Sequence, residues 1–153
     1  MAESELILAN SMGLSSNSLA MIHFMGGTIE DLTMEATVSG VNILPYIAEN
    51  GIEVTLRAID GDEAGRTMDA VMWRDLKAYK LDISITCRSL PLIDAMRVCT
   101  AIMPEYVPFT VVTPFTGRIT AEFYSNNIPC LCASVGEHGE TLWNGIKFPL
   151  IQR

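Results

Sequence analysis

The fold class is decided by two stretches of alternating apolar and polar residues, Ile52-Glu53-Val54-Thr55-Leu56-Arg57-Ala58 and Leu81-Asp82-Ile83-Ser84-Ile85-Thr86-Cys87. Successive side chains of a strand point to opposite faces, so this period of two predicts two strands, each with one buried face. Residues 60–70 between them are polar and contain glycine, which predicts a long loop.

One helix is predicted after the second strand, over residues 90–103. Pro91 suits a first helical turn, and Pro104 ends the pattern. The apolar residues expected to face the core recur at spacings of three and four: Leu92, Ala95, Met96, Cys99, Ile102 and Met103. Further strands are predicted at 107–111 and 118–123, followed by a last hairpin formed by 128–135 and 142–151. Pro108 cannot donate to a strand ladder, so the strand at 107–111 is expected at a sheet edge.

These elements predict a mainly β fold with one helix. We expect a β-sandwich or barrel of about six to eight strands flanked by one α-helix. Residues 1–50 are expected to form an irregular N-terminal arm or short strands, because serine, asparagine and glycine clusters interrupt their apolar runs. Residues 51–153 are expected to form the β-sandwich domain, with the helix at 90–103.

The composition indicates more apolar surface than a small monomer easily hides. The 153 residues are 49% hydrophobic and only 18% charged, with a mean hydropathy of +0.28. A chain of this length can build its own core, so the surplus is expected at contacts with other subunits. The alternative is a monomer with an unusually apolar surface.

The charge and the apolar runs argue against nucleic-acid and membrane binding. A net charge of −8 does not suit a protein that grips phosphates, although DNA could slide past an acidic surface without adhering. Residues 19–25, the longest apolar candidate, are too few to span a bilayer and contain His23. No Lys or Arg precedes Arg57, so no export signal is expected.

Residues with catalytic or metal-binding chemistry are sparse. His23 and His138 lie far apart in sequence, and no nucleophile elbow, phosphate loop or zinc-protease motif is present. Cys130 and Cys132 are spaced too tightly for the usual zinc pattern, while Cys87 and Cys99 fall on apolar faces. The Asp60 loop lacks the twelfth-position glutamate of an EF-hand. We therefore expect no enzyme, no cofactor and no bound metal.

Several short motifs resemble small tail-region proteins of siphophages and Gram-positive prophages. They are the segment from Val54 to Asp75, then Val111-Val112-Thr113-Pro114-Phe115-Thr116-Gly117-Arg118, then Phe123-Tyr124, and a terminal segment from Leu142 to Ile151. The resemblance covers residues 52–151 and leaves the first 50 residues unaligned.

The resemblance implies a virion tail component with a tail-tube or distal-tail-like fold, assembled in the cytoplasm of the host bacterium. Its expected partners are copies of itself in a cyclic oligomer, possibly a hexamer, neighbouring tail proteins, and DNA that passes through the lumen without specific binding. In that fold a long loop reaches the neighbouring subunit, and here the 60–74 loop would take that place. The candidate interface residues are Asp60, Asp62, Glu63, Arg66, Arg74 and Asp75.

Two other functions remain open on the sequence alone. One is a non-catalytic receptor- or carbohydrate-binding β-sandwich module of a virion, which would cluster aromatic side chains on loops. The other is a small enzyme, which would need a pocket where His23 or His138 meets acidic groups.

Overall fold

A computed structural model describes residues 3–60, 65–66, 72–73 and 76–153. Within these ranges the helices are α1 (Glu3–Ser11), α2 (Ser16–Phe24) and α3 (Leu92–Ala101), with a 3-10 turn at Leu44–Tyr46. The strands are β1 (Ala36–Val38), β2 (Val41–Asn42), β3 (Ile47–Asp60), β4 (Gly65–Arg66), β5 (Met72–Trp73), β6 (Leu76–Cys87), β7 (Leu90–Pro91), β8 (Val107–Thr113), β9 (Gly117–Tyr124), β10 (Leu131–Val135), β11 (Thr141–Asn144) and β12 (Lys147–Gln152). The expectation of a mainly β fold is confirmed.

Most strands belong to one antiparallel sheet with the order β2-β1-β8-β9-β12-β6-β3. A smaller sheet has the order β10-β11-β7, and β4 pairs with β5. Among the described residues the outer strands β2 and β3 do not pair with each other, so the barrel form of the prediction is not found.

The sheet is joined at a narrow seam. Strands β9 and β12 pair only through Ile151 with Tyr124 and Gln152 with Phe123, whereas β12 and β6 pair over five positions. The Gln152 side chain adds to the β12–β6 pairing and not to the seam, because its Oε1 accepts a 2.9 Å hydrogen bond from the backbone of Leu81 in β6. The seam therefore divides the sheet into four strands on one side and three on the other.

One hydrophobic core serves both parts of the sheet. Alternate side chains of the strands point into it, as the period of two predicts, and α3 contributes Ala95, Val98 and Ala101. The fully buried aromatic residues are Phe109, Phe123 and Phe148, of which the first two meet edge to face. The main core is thus built from the inward faces of the sheet together with the buried face of α3.

The expectation of a single helix is wrong, because α1 and α2 occupy much of the segment expected to be irregular or to form short strands. Ser15, in one of the serine and asparagine clusters, is the N-cap of α2, and its hydroxyl accepts a hydrogen bond from the backbone of Ser18. Ala9, Leu19, Ile22 and Ile29 form a small core of their own. Short strands do occur further on, and β1 joins the main sheet by pairing with β8.

Two smaller expectations also need correction. Pro108 does not mark an edge strand, since β8 pairs with both β1 and β9; it lies just beyond the last β1 pair, Val38 with Phe109, where no donor is required. The expected strand at 142–151 is two strands, because Gly145 adopts a positive φ of 68° and redirects the chain. As a result β11 stays in the small sheet and β12 enters the main one.

Candidate subunit interface

The predicted interface residues fall mostly outside the described part of the chain. Asp62, Glu63, Arg74 and Asp75 lie outside it, as does most of the 60–74 loop. The backbone of Asp60 ends β3 opposite Leu76, and the backbone of Arg66 pairs with Met72 in the β4–β5 ladder. Their role at an interface stays a prediction.

A group of exposed apolar residues that the sequence did not single out lies on α3 and on both faces of the β10–β11 hairpin, since Trp143 faces α3 while its strand neighbour Leu142 points the other way. We call it the α3–β10 surface, and its members are large exposed apolar side chains: Leu92, Ile93, Met96, Leu131, Val135 and Leu142. Ile93, Leu131 and Val135 are 58%, 64% and 66% exposed. The two elements are held together because β7, which leads directly into α3, pairs with β11.

The helix exposes these residues because apolar side chains cover more than one face of it. Its buried face is made by Ala95, Val98 and Ala101, which are small enough for close packing on the sheet. The larger Leu92 and Met96, predicted to face the core, are 46% and 50% exposed instead. This second, exposed apolar face of α3 accounts for part of the surplus of apolar residues in the composition.

A shallow apolar cavity of about 170 Å³ separates α3 from the hairpin. One wall is formed by Leu92, Ala95, Met96 and Cys99, and the other by Cys130 and Trp143. The Trp143 ring is held in place by the 2.8 Å hydrogen bond that its Nε1 donates to Thr141.

Two cysteine thiols line this cavity, and a third lies near them. The Sγ atoms of Cys99 and Cys130 are 3.7 Å apart, and Cys87 lies beneath them in β6. Burial raises the pKa of the Cys87 thiol to about 11. Burial and the contact with Cys130 raise the pKa of Cys99 to about 12. Both thiols are therefore protonated at neutral pH.

A second exposed apolar surface lies on the N-terminal helical hairpin of α1 and α2. Its members, which we call the hairpin surface, are Leu6, Ile7, Met12, Met21 and Phe24. Ile7 and Phe24 are 64% and 62% exposed. An apolar cavity of about 390 Å³ lies between this hairpin and the β8–β9 turn, lined by residues such as Leu14, Leu32 and Pro114.

Polar contacts fasten the helical hairpin to the sheet. The buried carboxylate of Glu5 accepts a 3.1 Å hydrogen bond from Thr28 and lies 2.7 Å from His23 Nε2. Arg118, on the neighbouring strand, pairs with Glu35 and lies 3.9 Å from Asp31. The Arg118 group borders a polar cavity of about 420 Å³.

The two histidines do not come together. His23 joins Glu5 at the base of the helical hairpin, and His138 lies in the exposed β10–β11 turn, where its backbone donates to Glu140. In the described ranges no group of three or more His, Cys, Asp or Glu side chains is arranged to hold a metal ion. None of the helices in those ranges is long and apolar enough to cross a membrane.

Comparisons with protein families, with curated proteins and with solved structures find no match for this chain.

Proposed function

We propose that this chain is a structural subunit of a bacteriophage tail, which assembles with copies of itself into a closed ring at the tail tube, distal tail or tail tip. The observation that carries the assembly is the α3–β10 surface. Large apolar side chains stand there in solvent although the core is complete beneath them. Burying such a side chain fully contributes about 1.5–3 kcal/mol, so several of them can drive association.

The edge strands of the sheets also support assembly with other copies of the chain. Strands β2 and β3 flank the main sheet and β10 flanks the small one. An outer strand can add a strand from a neighbouring chain through its backbone groups. Strand β3 runs for 14 residues and offers a long template, whereas β10 has five residues, all of them exposed.

The tail setting rests on the mainly β fold and on the resemblance of residues 52–151 to tail-region proteins. For the finer architecture we propose a tail-tube-like sandwich, in which the two sheet parts on either side of the β9–β12 seam face each other across the main core. In the ring the 60–74 loop would reach the next subunit. The negative charge would keep passing DNA from adhering if acidic side chains line the lumen.

The experiment is a measurement of mass in solution for the wild type and three variants. Ile93→Asp with Val135→Asp places two charges on the α3–β10 surface, and Ile7→Asp with Phe24→Asp does the same on the hairpin surface. Asn126→Asp with Asn127→Asp adds the same charge at exposed polar positions and is the matched control.

We expect a cyclic oligomer for the wild type and for the asparagine control, and loss of assembly for the α3–β10 variant. The hairpin variant shows whether the second surface also contributes. If the α3–β10 variant assembles like the control, the proposed joint is wrong. If the wild type is monomeric, assembly itself is wrong.

A further inference from the structure

Among the described residues, the two closest cysteine thiols belong to elements that are far apart in sequence. Cys99 lies on α3 and Cys130 directly precedes β10, 31 positions later, and their Sγ atoms are 3.7 Å apart. A disulfide needs about 2.05 Å between the sulfurs, so an approach of less than about 2 Å is required. Side-chain rotations can supply much of that distance, since both sulfurs already face the same small cavity.

We propose that Cys99 and Cys130 form a reversible intramolecular disulfide that ties α3 to the start of β10. Cys130 is exposed and is the entry point for the reaction, whereas Cys99 is half-buried and completes it. Both cysteines are free thiols in the structure, which therefore represents the reduced form.

The chemistry is thiol–disulfide exchange with a small-molecule disulfide as the oxidant. The Cys130 thiolate attacks one sulfur of that molecule, forms a mixed disulfide and releases the first small thiolate. The Cys99 thiolate then attacks the Cys130 sulfur and releases the second. The two protein thiols lose two protons and two electrons in total, and the small disulfide becomes two small thiols.

The environment of Cys99 sets the speed of the second step. Burial, the largest cause of its raised pKa, is still present when Cys130 is a mixed disulfide, so only a small fraction of Cys99 is thiolate at neutral pH. The rate of ring closure is therefore expected to increase about tenfold for each pH unit between pH 7 and 9. The tie forms slowly under mild oxidation and becomes faster in alkaline buffer.

The other cysteines are placed less well for this bond. The Cys132 thiol points to the backbone oxygen of Ser134, 3.7 Å away within its own strand. Cys87 is only 5% exposed, so an oxidant cannot reach it directly. The Cys99–Cys130 bond is therefore favoured, because the two sulfurs are close together and Cys130 is exposed to the oxidant.

The bond would link α3 to the start of β10 across the cavity and so fix the two parts of the α3–β10 surface. This effect on assembly rests on the proposed function. Bond formation is read from the covalent product and does not depend on the oligomeric state. Failure of the disulfide and failure of the assembly can therefore be told apart.

The test is oxidation of the full chain with oxidised glutathione, followed by mass spectrometry of the intact protein and of its unreduced peptides. The same reaction is run on the Ile93→Asp, Val135→Asp variant, in which the proposed interface is open. We expect the loss of two hydrogens and a peptide pair linking Cys99 to Cys130. The closed loop should raise Tm by about 5–10 °C relative to the reduced protein.

Single variants make the assignment specific. Cys99→Ser and Cys130→Ser should each abolish the internal bond, and Cys132→Ser, the matched control, should retain it. Circular dichroism in reducing buffer verifies that all three are folded. The proposal would be overturned if both the wild type and the Ile93→Asp, Val135→Asp variant gave only glutathione adducts and no internal disulfide. An internal bond between any other pair would overturn it too.

Discussion

Thr28 and Arg118 exchange both of their backbone hydrogen bonds, each 2.9 Å long, and this bridge fixes the N-terminal helical hairpin to the start of β9. The close approach depends on glycine on both sides. A Cβ atom at Gly27 would overlap the carbonyl oxygen of Thr116, and one at Gly117 would overlap that of Thr28. The small core is therefore joined to the main core by direct contact between the backbones of residues 27–28 and 116–118.

Gly27→Ala should loosen this junction, because the new methyl group meets a backbone oxygen that cannot rotate away. We expect a loss of about 2 kcal/mol in the free energy of unfolding and faster amide exchange at Thr28 and Arg118. The control is Gly26→Ala, which strains a φ of +87° but meets no atom within 4 Å. It should cost about 1 kcal/mol and leave the bridge protected. Equal exchange rates in the two variants would contradict the role of close packing at Gly27.

Glu5→Ala should detach α1 from the base of the helical hairpin, because it removes the acceptor shared by Thr28 and His23. A buried hydrogen-bonded carboxylate of this kind contributes on the order of 2 kcal/mol. Urea unfolding measures the effect, and Glu30→Ala, at an exposed position nearby, is the control. An equal, small change in both variants would show that the Glu5 contacts are not stabilising.

The helical hairpin also shows where sequence reasoning reached its limit. Strands β3, β6, β8 and β9 follow their period of two closely and could be predicted, because each has one face in the core. Helices α1 and α2 have no such pattern, since apolar side chains occupy their exposed sides as well as their buried ones. The one available signal was Ser15, three residues before Ser18, which is an N-cap arrangement rather than a loop.

The α3–β10 surface was missed for a related reason. The predicted core face included Ala95 and Ile102, which are buried, but also Leu92, Met96 and Met103, which are exposed. Val98 and Ala101 are buried in their place. Helical periodicity shows which residues share a face but not which face packs on the core, and α3 has apolar residues on two faces. The contact between α3 and β10–β11 depends on β7 pairing with β11, a long-range register that no local pattern encodes.

Stability should fall in alkaline solution through Cys87. Its pKa is raised by burial to about 11, so the unfolded chain loses this proton at a lower pH than the folded one does. The stabilisation is complete below about pH 9 and is lost as the pH rises through about 11. Cys87→Ala should be less stable than the wild type at pH 8 by about 1 kcal/mol.

The stability advantage of the wild type over Cys87→Ala should then shrink above pH 9 and reverse before pH 11, because a rise of two pKa units corresponds to about 2.7 kcal/mol. Urea unfolding across that range measures the difference. Titrating groups that do not interact with Cys87 cancel in the comparison, and running it in a Cys99→Ser, Cys130→Ser background removes the two thiols that do. A constant difference over the whole range would mean that Cys87 does not titrate differently in the two states.

The 60–74 loop provides a prediction from sequence. Arg66→Ala with Arg74→Ala should weaken assembly and leave each domain folded, because interfacial arginine–carboxylate pairs contribute a few kcal/mol whereas exposed ones contribute about 0–1 kcal/mol. Sedimentation and circular dichroism report the two properties separately. Arg57→Ala, which removes an exposed pair with Asp82 3.2 Å away, is the matched control. Unchanged oligomerisation of the double variant would show that the loop is not the joint.

The central claim is that this chain assembles with itself, and the most direct test is the mass of the purified wild-type protein in solution, combined with electron microscopy of the particles. We expect one closed ring species, with a mass that is a whole multiple of 16.8 kDa and persists over roughly a hundredfold range of concentration. A mass of 16.8 kDa at every concentration, with no particles in the images, would contradict the account.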